Sequence, residues 1–273
     1  MITNQLIIMK AQVLGTDGSQ KGEMTVSKAF SEKVRTDLIQ RAFLAEMSET
    51  RQPYGSDPEA GLRTSAHYHG LRHYKYSMMN REMARMPRIH GRVGYMSMTA
   101  RRVPQAMKGR EAHPPKIEKV WYEKINRKEW NKALMSAVAA TADKNIVALK
   151  GHRIDGVKSL PIIVEDKIQE LKKSSEVRKL LLSLGMEKEL ERSADSKARA
   201  GRGKMRGRRV KERRGPLIIV SEDKGIVKAA RGISGVEAVK LADLCMMELA
   251  PGSKPGRLTI WSQSAVQSME KAK

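Results

Sequence analysis

Leu217-Ile218-Ile219-Val220 is an unbroken apolar run of strand length, without the polar alternation of a half-exposed strand. Such a run fits a sheet that is covered on both faces, because an exposed face would place polar side chains at every second position. Pro161-Ile162-Ile163-Val164 has the same character, and Val236–Leu241 and Leu258–Trp261 are further apolar segments of strand length. These segments predict interior strands of a mainly parallel sheet.

Helical periodicity occupies the sequence between these strands. The stripes consist of Phe30, Val34, Leu38, Phe43 and Met47, of Trp130, Leu134, Val138 and Thr141 in an alanine-rich helix of about 20 residues, and of Val177, Leu180, Leu181 and Leu184. Leu6–Leu14 predicts a strand, Glu165–Lys173 a helix, and Ala242–Leu249 a short helix. We predict an α/β fold: a three-layer domain with a mainly parallel sheet flanked by helices, plus a long irregular basic loop inserted between early helices.

Net charge points to a polyanionic partner. The 273 residues carry a formal charge of +23, which opposes compaction and favours nucleic acid or an anionic membrane. The membrane alternative is weak because no run of about 18 apolar residues exists. No secretory signal is visible at the N-terminus, and the single cysteine, Cys245, fits a reducing compartment. We expect a cytoplasmic protein.

Two segments hold most of this charge. Residues 51–116, here the basic insertion, contain thirteen Lys or Arg and four Asp or Glu, a net charge of +9. Residues 197–214, here the basic loop, contain ten Lys or Arg and one Glu, again +9. The remaining residues, 1–50 and 117–273 outside the basic loop, therefore predict a globular α/β body of ordinary charge.

The basic insertion has the composition of an RNA-binding segment that cannot fold alone. It has five Leu, Ile or Val residues, too few to offset the entropy of ordering 66 residues, but five of the six tyrosines and five of the six histidines. Arginines suit phosphates, and flat rings suit stacking on bases. The alternative is a disordered, solvated insertion.

The basic loop has arginines interspersed with glycines, from Lys197 to Arg214. A guanidinium can grip a phosphate through two hydrogen bonds, and glycine lets the backbone follow RNA closely. A localisation tail or flexible linker is the alternative. The strand that follows at Leu217 favours an internal loop held at both ends.

Three patterns could indicate catalysis or cofactor binding, and we reject each. Gly201-x-Gly203-x-x-x-Gly207 lies among basic residues and does not follow a strand, unlike a nucleotide loop. No cysteine and few carboxylates accompany His67, His69, His73 and His90, and their segment is cationic and repels a metal ion, so contacts with RNA are favoured over a metal site. Residues 151–156 pair no nucleophile with His152 and predict a turn, and Cys245 lies in an apolar stretch typical of a buried structural cysteine. We expect no enzyme, no catalytic residue, no metal and no cofactor.

Several motifs resemble ribosomal large-subunit protein four in its archaeal and eukaryotic branch. They run in order along most of the chain: RRVPQAMKGREAHPPK at 101–116, SAVAATA at 136–142, KGH at 150–152, LPIIVEDK at 160–167, RAGRGKMRGRR at 199–209, RRGPLIIV at 213–220, LAPG at 249–252 and GRLTIW at 256–261.

This resemblance implies a structural constituent of the large ribosomal subunit that binds and braces its ribosomal RNA. It implies that the basic insertion penetrates the RNA and that its tip lines the narrow part of the peptide exit tunnel. The implied partners are large-subunit RNA, neighbouring large-subunit proteins and the nascent peptide, with no membrane. The residues expected to bind RNA are Arg72, Arg81, Arg85, Arg88, Arg92, Arg101, Arg102, Lys108, Arg110, His113, Lys116, Arg199, Arg202, Lys204, Arg206, Arg208, Arg209, Arg213 and Arg214, and the expected tip is Met86, Pro87, Arg88, Ile89, His90, Gly91 and Arg92.

Two other functions are compatible with the same basic segments. An extra-ribosomal RNA chaperone or regulatory RNA-binding protein would use them without being a stoichiometric part of the subunit. A nuclease ranks third, because no catalytic constellation is visible; nuclease activity lost on mutating His67 and His69 would revive it.

The composition of the basic insertion generates the first prediction. In the isolated protein we expect amides of residues 55–115 to exchange rapidly with solvent, because few apolar residues oppose the chain entropy there. Hydrogen exchange followed by mass spectrometry measures this. Uniform protection of the segment in the free protein would contradict the interpretation.

Overall fold

A computed structural model describes residues 10–91 and 94–271. The chain divides into two compact units. The α/β unit contains the residues up to Thr50 and from Tyr122 onward, and the insertion unit is Arg51–Trp121, which includes the basic insertion. In the described residues no helix has the length and hydropathy needed to cross a membrane.

The α/β unit alternates strands and helices along most of its length. Its strands are β1 (Lys10–Leu14), β2 (Gln20–Thr25), β3 (Ile162–Val164), β4 (Lys197–Ala198), β5 (Val210–Lys211), β6 (Leu217–Val220), β7 (Glu237–Lys240) and β8 (Thr259–Ser262). Its helices are α1 (Thr36–Glu49), α2 (Arg127–Ala142), α3 (Lys144–Lys150), α4 (Ser174–Ser183), α5 (Glu187–Ala194), α6 (Ile226–Ala230), α7 (Met246–Leu249) and α8 (Gln263–Lys271).

Six strands form one sheet in the order β2-β1-β3-β8-β6-β7. Only the β1–β2 pair is antiparallel, and every other pair is parallel. All residues of β3, β6 and β8 are buried. This explains why their sequences lack polar alternation, since both faces of these strands are covered.

Two apolar clusters cover the two faces of the sheet. One joins Ile163, Ile219 and Trp261 to helices α1, α2, α7 and α8, and the other joins Ile162, Ile218 and Ile260 to helices α3 to α6. Successive strand residues point to opposite faces, so adjacent residues enter different clusters. The predicted three-layer α/β fold with a mainly parallel sheet is therefore confirmed.

Several predicted helix boundaries were wrong. The stripe from Phe30 to Met47 is divided: Phe30 lies in a 3-10 turn at Lys28–Ser31, and α1 begins only at Thr36. Phe30 packs edge-on against Trp261, with ring centroids 5.1 Å apart, so a tertiary contact replaces helical continuity. The alanine-rich helix ends at Ala142, where Asp143 caps α3 by accepting a hydrogen bond from the Asn145 amide at 2.9 Å.

Three other predicted elements also differ in extent. The segment after β3 is a short 3-10 turn at Asp166–Glu170 rather than a helix to Lys173. Ala242–Leu249 is divided into a 3-10 turn and the four-residue helix α7. For the strand predicted at Leu6–Leu14, residues 6–9 lie outside the described part of the chain, and β1 is described from Lys10.

A buried carboxylate in α5 anchors the chain before the basic loop. Glu189 is fully buried and accepts hydrogen bonds from His152 Nδ1 at 2.6 Å and from the Arg153 amide at 2.8 Å. Arg192 binds both carboxylate oxygens, at 2.6 and 2.8 Å. The same guanidinium donates at 2.6 Å to the carbonyl of Arg214, where the basic loop ends. Glu189 thus positions the Arg192 guanidinium, which in turn holds the backbone at the C-terminal end of the basic loop.

Opposing effects set the charge of Glu189. Burial alone would raise the pKa of its carboxyl, but hydrogen bonds from Arg192 and His152 outweigh burial and lower the pKa to about 2. Burial lowers the pKa of His152, so we assign a neutral ring that donates through Nδ1. Glu189 is therefore a carboxylate over the whole neutral range, paired with a guanidinium.

Glu189→Gln tests this anchor, because the amide keeps the shape of the buried side chain but leaves the half-buried Arg192 guanidinium without a charged partner. We expect a loss of about 3–5 kcal/mol in the free energy of unfolding near neutral pH. Since the pKa of Glu189 is lowered on folding, its stabilisation is present above the ordinary carboxyl pKa and is lost as pH falls through about 2. The difference between variant and parent should therefore shrink in acid. Denaturant unfolding at several pH values measures both effects.

The control is Glu191→Gln, an exposed position on the same helix. We expect it to change the unfolding free energy by no more than about 0.5 kcal/mol. Equal losses in the two variants, or a loss in Glu189→Gln that does not depend on pH, would contradict the role assigned to the buried carboxylate.

Candidate nucleic-acid interface

The basic loop folds as a short antiparallel ribbon. Strand β4 pairs with β5, and the Arg199 amide donates to the carbonyl of Arg209 at 2.8 Å, which extends the pairing by one step. Gly201 and Gly207 have φ of +72° and +80°, a left-handed conformation that L side chains rarely adopt. The glycines therefore permit the turns of the ribbon, and arginines occupy the positions between them.

The cations of this ribbon have two different roles. Arg199 donates from Nε to the carbonyl of Arg208 at 3.0 Å and from Nη2 to that of Val210 at 3.3 Å, so it holds the ribbon together. The remaining cations of the turn are exposed, and in the described part of the chain none of them has a carboxylate partner. These residues are Arg202, Lys204, Arg206, Arg208 and Arg209. They form a dense cationic surface without internal neutralisation.

Arg213 and Arg214, at the end of the basic loop, are paired with carboxylates. Arg213 forms an ion pair with Asp195 at 2.6 Å, and Arg214 forms one with Glu237. Both are among the residues that the sequence predicts to bind RNA, and in the structure these ion pairs tie the ribbon to α5 and β7. Their remaining donors are still available, since a guanidinium has five.

Arg257 completes this anchor from inside the protein. Its side chain is fully buried, and it donates from Nε to the carbonyl of Gly215 at 3.0 Å and from Nη1 to Glu237 at 2.7 Å. Burial lowers its pKa to about 10, so it stays charged at neutral pH. Glu237 therefore links a buried arginine to Arg214, and the ribbon leaves the sheet in a fixed direction. Sequence reasoning missed this residue, although it lies within the motif at 256–261.

The insertion unit has almost no core. Only Ala66, Ser77 and Met78 are buried among its described residues. Its regular structure there is one 3-10 turn at Gly94–Met96 and two isolated bridges. This agrees with a composition poor in branched apolar residues, because burial of such side chains is what normally offsets chain entropy.

Backbone strain is concentrated in the same unit. Five of the six described non-glycine residues with positive φ lie there: Asn80, Glu82, Met98, Arg102 and Lys108. Each such residue costs on the order of 1–3 kcal/mol unless its surroundings compensate. A unit with three buried residues has little means of compensation.

Most predicted RNA-binding side chains of the insertion unit are exposed: Arg72, Arg81, Arg85, Arg102, Lys108, Arg110, His113 and Lys116. Arg88 and Arg101 are half-buried and donate hydrogen bonds to backbone carbonyls. Arg88 donates to Met98 at 2.8 Å and to Ala84 at 3.1 Å, and Arg101 donates to Met107 at 2.7 Å. These two arginines hold the irregular backbone of the unit together, a role that sequence reasoning did not foresee.

The predicted tip, Met86 to Arg92, is described as far as Gly91, and Arg92 lies outside the described residues. Its backbone pairs with two other segments. Arg88 forms bridges with His67 and with Ala100, and Ile89 exchanges hydrogen bonds of 3.0 Å with Met98 and Thr99. Residues 86–90 are half-buried as a result. This segment is the central strand-like piece of the insertion unit.

Aromatic and histidine rings of the insertion unit pack on one another. His67, His69 and His90 have ring centroids 4.1 to 4.7 Å apart, Tyr74 stacks on His69, and Tyr76 lies against His90. Burial lowers the pKa of His90, with the neighbouring histidines contributing further. Stacking on RNA bases was predicted for these rings, whereas their faces are partly occupied by each other.

Trp121, which sequence reasoning missed, carries a second ring cluster. The Arg51 guanidinium lies 3.7 Å from the centroid of the Trp121 ring, Lys119 Nζ lies 4.2 Å from it, and Tyr54 stacks on it at 5.6 Å. These contacts join the first and last residues of the insertion unit through cation–π attraction. The signal available in the sequence was a tryptophan close to several cations.

Known proteins resemble the chain over almost its whole length. The sequence profile of the ribosomal protein L4/L1 family matches residues 24–272. Proteins named "Large ribosomal subunit protein uL4" are 44% identical in Nanoarchaeum equitans, over 97% of this chain and 99% of the relative, and 41% identical in Methanococcus vannielii, over 96% and 99%. A relative of the same name in Methanopyrus kandleri is 42% identical over 96% of this chain and 98% of its own. These matches confirm the resemblance found in the motifs, and the chain belongs to the ribosomal protein L4/L1 family.

Proposed function

We propose that this protein is a structural, non-catalytic constituent of the large subunit of the cytoplasmic ribosome, where it binds and braces ribosomal RNA. The observation that carries the proposal is the exposed cationic turn of the basic loop, whose Arg202, Arg206, Arg208 and Arg209 have no carboxylate partners in the described residues. Membership of a ribosomal protein family supports the ribosome as the assembly in which this surface binds RNA.

The anchored ribbon suits phosphate recognition. Glu189 with Arg192 on one side, and Arg257 with Glu237 on the other, hold the carbonyls of Arg214 and Gly215. A cationic turn on a fixed root loses less conformational entropy on binding than a flexible tail would lose. Binding should release counterions from the RNA, so affinity should fall with salt, with on the order of ten phosphate contacts contributing over both basic segments.

The insertion unit suits a different mode of binding. With three buried residues among those described, it gains little stability from apolar burial, and its five positive-φ residues add a conformational cost. Exposed cations along the chain would bind phosphates where RNA helices converge, and the unit would order as the RNA folds around it. In this way the protein would act as a brace between RNA segments and contact neighbouring large-subunit proteins.

The predicted tip of the basic insertion is proposed to reach the peptide exit tunnel. We place Met86–Arg92 near the nascent peptide, as the family resemblance implies. The position of the segment supports this placement: in sequence it lies far from both ends of the insertion unit, and Tyr95, three residues after it, is highly exposed. Its half-buried backbone pairing gives it more order than a free loop tip would have.

A quadruple substitution of Arg202, Arg206, Arg208 and Arg209 by Ala tests the RNA-binding role. We expect weaker binding to large-subunit RNA and a slope of log affinity against log salt shallower by roughly 3, at about 0.7–0.9 per lost phosphate contact. We also expect poor recovery in large subunits washed at high salt. Filter binding over a salt series and co-sedimentation are the measurements, and thermal unfolding shows whether the α/β unit is intact.

The control removes four exposed cations from another surface of the α/β unit: Lys172, Lys173, Arg178 and Lys179. The control variant loses four positive charges, as many as the test variant loses. The proposal is wrong if the control flattens the salt dependence as much as the test variant, or if the parent protein shows little salt dependence. Salt-sensitive RNA binding without retention in washed subunits would favour an extra-ribosomal RNA chaperone.

A photo-crosslinking residue at Ile89 tests the tunnel assignment in translating ribosomes that carry the protein. We expect crosslinks to a stalled nascent peptide from Ile89. The same probe at Met205, an exposed position of the basic loop, should crosslink to RNA and not to the peptide. Peptide crosslinks from Met205, or none from Ile89, would contradict the placement of the tip in the tunnel. Neither result would bear on the RNA-binding role.

A further inference from the structure

Three histidines distant in sequence converge in the insertion unit. His67 pairs with Arg88 in an isolated bridge, His69 lies two residues after His67, and His90 lies two residues after Arg88. One ring nitrogen of each histidine lies within 4.8 Å of one ring nitrogen of each of the others. From sequence, few carboxylates, no cysteine and a cationic segment weigh against a metal site; the fold adds a set of three imidazoles, which need neither carboxylate nor thiolate to bind a metal ion.

Hydrogen bonding already orients one of the rings. His67 Nδ1 lies 3.0 Å from the carbonyl oxygen of Ser65, so Nδ1 carries the proton and donates it. The Nε2 lone pair is then left for another partner. Histidines that bind metals generally donate their second ring nitrogen to a carbonyl or carboxylate in this way, which fixes the tautomer.

His90 lacks the hydrogen bonds that a buried ring requires. Both of its nitrogens are inaccessible to solvent, and among the described residues neither has a hydrogen-bond partner. Buried polar atoms in folded proteins nearly always have a partner, and an ion or ordered water is the usual explanation for one that does not. The ring that carries these two unsatisfied nitrogens completes the three-histidine cluster.

We propose that His67, His69 and His90 bind a divalent transition-metal cation, with Zn²⁺ the best fit. Imidazole nitrogen is a preferred ligand of zinc, and three histidines with an open fourth position form a known zinc arrangement. Zinc–nitrogen bonds of about 2.0–2.1 Å would bring the three nitrogens closer to one another than the limit of 4.8 Å within which they lie here, so the rings would have to reorient on binding.

The surrounding charge determines the fourth ligand. The insertion unit contains fourteen Lys or Arg and five Asp or Glu, and three neutral imidazoles would leave the full charge of the ion. The open fourth position on the metal ion would therefore favour an anionic ligand, either hydroxide or a phosphate oxygen. Mg²⁺ and Ca²⁺ are excluded as occupants because they require oxygen ligands, which this cluster does not provide.

A bound metal ion would cross-link two segments of the insertion unit, which has little apolar core. A metal ion would tie residues 67–69 to residue 90, beside the bridge between His67 and Arg88. Metal binding stabilises small domains that lack sufficient apolar burial. The site would thus order the central part of the insertion unit independently of RNA.

Zinc titration of the purified full-length protein tests the proposal. We expect saturable binding of one Zn²⁺ per chain, slower amide exchange in residues 65–100 on zinc addition, and a tetrahedral ligand-field spectrum with Co²⁺. X-ray absorption of the zinc complex should show three imidazole nitrogens at about 2.0 Å. No saturable binding, or a ligand shell containing sulfur, would overturn the proposal.

Single substitutions His69→Gln and His90→Gln should each weaken zinc binding by more than the roughly 10- to 100-fold typical of losing a second-shell partner. The matched control is His73→Gln, an exposed histidine of the same segment that is outside the cluster. It should bind zinc like the parent protein. Equal weakening in His73→Gln, or unchanged affinity in either cluster variant, would show that the histidines do not form a metal site.

Discussion

Burial of the central strands on both faces is the constraint on which the α/β unit depends. Strand β8 pairs in parallel with β3 and with β6, and none of these three strands has an exposed residue. Charged side chains cannot lie there without large desolvation costs. A chain with 53 Lys or Arg must therefore place them in connections, helix surfaces and insertions. The two basic segments are where most of the excess positive charge is found.

Charges are buried where the basic loop joins the sheet. Arg257 is fully buried, and so is Glu189, yet each is paired and hydrogen-bonded. A buried ion pair of this kind adds little net stability over apolar packing, but removing one partner is costly. Here the two ion pairs fix the position of the backbone, because Arg192 and Arg257 donate hydrogen bonds to the carbonyls of residues 214 and 215. The cationic turn is consequently presented from a rigid base.

The insertion unit is organised differently. Arginine–carbonyl hydrogen bonds, packed rings and a cation–π cluster at Trp121 replace an apolar core. Five non-glycine residues with positive φ add a conformational cost that these contacts must offset. Proposed partners, RNA outside and a metal ion within, would each supply stabilisation that the sequence cannot obtain from apolar burial. The two proposals are separable, since zinc binding can be measured without RNA.

Sequence alone determined the class of fold, the family and the location of the charge. Runs such as Leu217–Val220 identify doubly covered strands because burial on both faces leaves no room for polar alternation. Sequence could not show that Phe30 leaves the first helix to pack on Trp261, or that Arg88 binds carbonyls at Ala84 and Met98. Nor could it bring His90 to His67 and His69, because long-range contacts depend on the path of an irregular backbone, which has no periodic signal. Local patterns decided the elements, and only the tertiary structure decided which cations are exposed and which are internal supports.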